Sequence, residues 1–114
     1  MTSVLLTCGG DGCFKSCSAD GHAGFAKRGK DIVCASETLL LRTAVDVLES
    51  VRGIGVTVDK SRRGSLSFSV SYDSDSCGVE VLERLKCTAD FIRMGIQSLS
   101  EEFPDCVQLI EKIG

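Results

Sequence analysis

The single histidine of this chain, His22, lies shortly upstream of Cys34, in the stretch Gly21-His22-Ala23-Gly24-Phe25-Ala26-Lys27-Arg28-Gly29-Lys30-Asp31-Ile32-Val33-Cys34-Ala35. A cysteine attacks a carbonyl only as its thiolate, and both a neighbouring imidazolium and a helix N-terminus favour that anion. From Asp31 the pattern turns helical, so Asp31 is expected at the N-cap and Cys34 at the third helical position. Unsatisfied amides near Cys34 and Ala35 would then receive an oxyanion, and His22 would act as general acid and base. Thr38 lies one turn beyond Cys34, where its hydroxyl either touches the site or bonds back to its own helix. Asp31 has a second possible role in orienting the imidazole, although the cap is the preferred reading. Glu37 either repels a thiolate or points to solvent, about 100° around the helix from its neighbour.

Blander roles exist for the same residues: a cysteine near a helix start is commonly a small buried hydrophobe, and a histidine in a polar loop is commonly solvated. A zinc module is a further alternative, because Cys8, Cys13, Cys17 and His22 have four, three and four residues between them. That spacing lacks a close-paired knuckle, and two cysteines four apart on one strand are separated by about 13 Å, too far to share a zinc ion. The expectation is therefore no metal, with these cysteines packing as hydrophobes.

The elements that must position Cys34 follow from periodicity. Ser3 to Cys8 reads as a strand, Gly9-Gly10-Asp11-Gly12 as a turn, and Cys13 to Ser18 as its hairpin partner. Ala19 to Lys30 is a glycine-punctuated loop, expected to close over a bound peptide. The helix from Asp31 carries Val33, Leu40, Leu41, Ala44, Leu48 and Val51 on one stripe, with Gly53 at its C-cap. Val56 to Val58 is a short strand, and Leu66, Phe68, Val70 and Tyr72 alternate with serines in another. A second helix runs from Val79 to Ser100, on the stripe Leu82, Leu85, Ala89, Ile92, Ile96 and Leu99, before a last strand from Val107 to Ile113. The order β-β-α-β-β-α-β predicts an α+β two-layer sandwich, both helices on one face of a mainly antiparallel sheet.

The 114 residues form one domain, 1–114. A net charge of −3 and scattered basic residues argue against direct nucleic-acid binding. Seven cysteines, an odd number, without a secretory signal point to a reducing cytoplasm. No apolar run reaches the roughly 18 residues of a spanning helix, so no membrane partner is expected.

Gly21-His22-Ala23-Gly24 followed by Gly29-Lys30-Asp31-Ile32-Val33-Cys34-Ala35 resembles the signature of the ribosomal-processing cysteine protease family, and the element order fits over essentially the whole chain. The resemblance implies a cytoplasmic, homodimeric endopeptidase without cofactor that removes a short N-terminal extension from a bacterial large-subunit ribosomal protein. It places the nucleophile on Cys34 and the general base on His22. Gly21 matches the glycine that lets the loop move, and Asp31 the acidic residue before the helix. Thr38 stands where the family has serine, and Glu37 where small or apolar residues are common. The competing functional reading is a non-enzymatic, ribosome-associated binding protein.

Overall fold

Seven elements follow in the expected order: β1 (Thr2–Cys8), β2 (Phe14–Asp20), α1 (Arg28–Glu49), β3 (Gly55–Asp59), β4 (Ser65–Ser71), α2 (Val79–Glu102) and β5 (Val107–Ile113). The structure, a computed structural model, describes residues 1–21, 28–60 and 65–114, and the side chains of α1 from Ile32 onward. The strands form one mixed sheet of order β3-β4-β2-β1-β5. Its β1–β2, β2–β4 and β3–β4 pairs are antiparallel, and β1–β5 is parallel because α2 carries the chain back across before β5 begins.

Register explains how one face becomes the core. Val58 pairs with Phe68, Phe68 with Cys17, Cys17 with Leu6 and Leu6 with Glu111, a row that crosses all five strands. A second row joins Leu66, Ala19, Val4 and Leu109. Side chains alternate along a strand, so these residues share a face, and all but the exposed Glu111 join the core of Val33, Leu41, Ala44 and Leu48 from α1 with Leu85, Ala89, Ile92 and Ile96 from α2. Both helices therefore cover the same side of the sheet. Ser16 faces Ser69 and Ser18 faces Ser67 on the side away from them, as the serine alternation of β4 requires. Phe14 stacks on Phe68 with ring centroids 5.5 Å apart.

Geometry demands glycine at Gly12 and Gly95, among other positions. Gly12 has φ 85° in the β1–β2 turn, where the Asp11 carboxylate accepts the Cys13 amide proton at 3.0 Å. At Gly95 the helices cross so closely that a Cβ would stand 2.2 Å from Cδ1 of Leu40 on α1.

The boundary that matters for chemistry differs from the expected one. Helix α1 begins at Arg28, so Asp31 is its fourth residue and cannot be its N-cap, and Cys34 is the seventh rather than the third. At the other end α1 stops at Glu49, and Gly53, φ 91°, belongs to the following turn rather than to the C-cap. The expected loop shrinks from both sides: Ala19 and Asp20 belong to β2 and residues 28–30 to α1, while His22 to Lys27 lie outside the described residues.

Candidate active site

β2 ends at Asp20, and Gly21 follows against the buried Thr2, whose amide donates to the Cys106 carbonyl at 2.8 Å. A Cβ at position 21 would meet Thr2 Oγ1 at 2.8 Å, so the glycine is there for close approach. His22 and the side chain of Asp31 lie outside the described residues; the pairing of His22 with Cys34 therefore rests on the sequence.

Cys34 is half-buried on α1 and its thiol is free. The unsatisfied amides of an α-helix are its first four, here those of Arg28 to Asp31. The amides of Cys34 and Ala35 are inside the helical ladder, which corrects the expectation that they receive an oxyanion. The field at a helix N-terminus also fades within about one turn, so Cys34 stands beyond the help expected from a first-turn position.

What the helix does provide is a cleft. About 670 Å³ of open volume lies against Cys34, Ala35, Thr38, Leu39, Arg42, Thr43 and Asp46. These residues recur at one-turn intervals from Cys34, so the cleft runs along the helix axis. Its hydroxyls are not equivalent. Ser36 donates back to the Ile32 carbonyl at 2.8 Å, and Thr43 to Leu39 at 2.7 Å. Thr38 makes no such bond among the described residues, leaving its hydroxyl available in the cleft beside Cys34. Of the two roles open to Thr38, the back-bond is thus found instead at Ser36 and Thr43.

Glu37 is the larger surprise. It is 5% exposed, on the core stripe between Val33 and Leu41 rather than facing solvent, and burial pushes its carboxyl up to about 7. The thiol it acts on electrostatically is Cys17 below it on β2; burial, with Glu37 adding to it, pushes that thiol up to about 12. Burial likewise raises the thiols of Cys8 and Cys13. These three are packing residues, and among the described residues no group of three or more histidines, cysteines or carboxylates is placed to hold a metal ion. Cys106 packs half-buried against the core, whereas Cys87 is exposed on α2.

Sequence reasoning missed Leu39, Arg42 and Asp46 as cleft residues. Their signal was present: with Thr38 they continue the four- and five-residue steps from Cys34. No helix among the described residues is long and apolar enough to cross a membrane.

The family model for the cysteine protease Prp matches residues 1–108. A comparison with curated proteins gives no match. Among solved structures, SMU.848 from Streptococcus mutans is similar with TM-score 0.77 and 23% identity, over 100% of this chain and 96% of that one. The ribosomal processing protease Prp from S. aureus in complex with a substrate peptide gives TM-score 0.79 and 20% identity, over 98% of this chain and 100% of its own. The same S. aureus protease with a covalently linked product peptide gives TM-score 0.71 and 22% identity, with the same coverage.

Proposed function

Because this chain belongs to the cysteine protease Prp family, we propose that it is the endopeptidase that removes the N-terminal segment of a ribosomal protein, in the cytoplasm and as a homodimer. What carries the reading is the placement of Cys34, with the open hydroxyl of Thr38, on the wall of a cleft large enough for an extended peptide. The S. aureus relatives captured with substrate and product peptides support it.

The proposed chemistry uses few groups. The Cys34 thiolate adds to the scissile carbonyl carbon, and the carbonyl π electrons move onto oxygen. Thr38 donates its hydroxyl proton in a hydrogen bond to that oxyanion, one helical turn from the nucleophile. Protonated His22 gives its proton to the departing amine as the C–N bond breaks, leaving a thioester. Neutral His22 then takes a proton from water, whose oxygen attacks the thioester and returns Cys34 as thiolate. Gly21 lets the backbone that leads to His22 pass close to Thr2.

The direct test is incubation of the chain with a peptide spanning an extended ribosomal-protein N-terminus, read by mass spectrometry. One cut that separates extension from mature N-terminus is expected. Stoichiometric binding of the intact peptide without a cut would favour the non-enzymatic ribosome-associated role.

The hydroxyl of Thr38 has its own signature. Thr38→Val is expected to lower kcat about a hundredfold with little change in KM, as for loss of one oxyanion donor, while Thr38→Ser keeps most of kcat. Equal losses in both variants would assign the residue to packing.

A further inference from the structure

The cleft has a direction and a charge pattern that the chemistry above does not use. Its described wall belongs to α1 alone, so a peptide lying in it runs beside that helix. Leu39, 70% exposed, supplies an apolar ledge next to the nucleophile. Farther along stand Arg42 and then Asp46, one turn apart. Opposite charges at that spacing on a helix commonly pair. Here they do not: the ion pairs among the described residues are Lys86–Glu83, Arg93–Asp90 and Arg93–Glu111. Both charges therefore line the cleft without a partner among the described residues.

Resting on the protease reading, we infer that Arg42 selects substrates with an acidic side chain three or four residues from the cleaved bond. Distance sets the position. Eight residues of helix separate Arg42 from Cys34, about 12 Å at 1.5 Å per residue, and an extended peptide covers about 12 Å in three to four residues. Asp46, one turn beyond, favours a basic residue at about the fifth or sixth position by the same arithmetic. Selection is through charge at an exposed site, so it weakens as salt rises.

The test separates recognition from turnover. Peptides of the extended ribosomal segment, each carrying Asp, Asn or Lys at one position on either side of the cut, are titrated against the full-length Cys34→Ala chain. The cut itself is located with the unaltered enzyme. At the third or fourth position the Asp peptide is expected to bind about tenfold tighter than the Lys peptide, a few-fold gain multiplied by a few-fold loss. Adding Arg42→Glu, an exposed change to an equally good helix former, should reverse the order. A ratio that stays within about twofold after Arg42→Glu, or a preference confined to positions next to the cut, overturns the assignment. Charge-ordered binding of peptides that the unaltered enzyme never cleaves overturns the protease reading and supports Arg42 as the charge reader. Cleavage without charge order sinks the Arg42 inference alone.

Discussion

Cys34→Ala is expected to lower kcat/KM for the extended peptide at least about a thousandfold while shifting unfolding free energy by no more than about 0.5 kcal/mol. The two effects separate because Cys34 is half-buried at the cleft edge and alanine is the best helix former, so little packing or helix stability is lost. His22→Ala should reduce the rate by a comparable factor, because a nucleophile without its proton partner is nearly as impaired as an absent one. The double variant should then be no slower than the worse single one. Initial rates together with thermal melts of the three variants check this. Multiplicative losses in the double variant would show that the two residues act independently and would remove the catalytic pair.

The second large effect concerns stability. A Glu37 carboxyl raised from 4.5 to about 7 binds its proton more tightly folded than unfolded. Its contribution is complete below about pH 4.5 and is lost as pH rises through about 7, beyond which the loss is constant. At 1.36 kcal/mol per pH unit, that interval corresponds to roughly 3 kcal/mol. The protein should therefore melt roughly 10 °C lower at pH 8 than near pH 5, at about 4 °C per kcal/mol for a domain of this size. Glu37→Gln should abolish the difference, and Glu37→Leu should raise the melting temperature at pH 8 by at least as much, since an aliphatic side chain suits the stripe between Val33 and Leu41. Other raised groups act elsewhere on the scale: the thiols of Cys8, Cys13 and Cys17 lose their contribution only as pH rises above 9. Asp11, lowered by hydrogen bonding to Cys13, acts in the opposite sense, and only as pH falls below 3.8. Superimposable wild-type melts at the two pH values would mean that the acid is hydrated rather than buried.

The scaffold was largely legible, for reasons visible in particular residues. Serines alternating with Leu66, Phe68 and Val70 allow only a half-buried strand, and the stripe through Leu85, Ala89, Ile92 and Ile96 allows only a helix with one face covered. Both elements formed where expected, and β5 matched from Val107 to Ile113. The start of α1 was not legible. Gly29 and Asp31 both read as signals of a boundary, yet a glycine inside a first turn costs only about 1 kcal/mol, and the helix continued back through it to Arg28. That one displacement moved Cys34 out of reach of the free amides and made Thr38 the better candidate donor. Glu37 was misread for a different reason. Its position, four residues after Val33 and four before Leu41, lies on the apolar stripe, but a carboxylate is normally presumed to avoid such a place.

One consequence of the helix crossing reaches beyond the cleft. With only hydrogen at position 95 of α2, the branched tip of Leu40 settles into a notch, and α1 lies at the depth that this notch permits. A methyl group there would lift α1, and with it the ledge on which Cys34, Thr38 and Arg42 stand. Positions 40 and 95, neither in the cleft, are thereby bound to a joint fate: any side chain at 95 demands a slimmer residue at 40, and nothing at 95 can make room for a bulkier one.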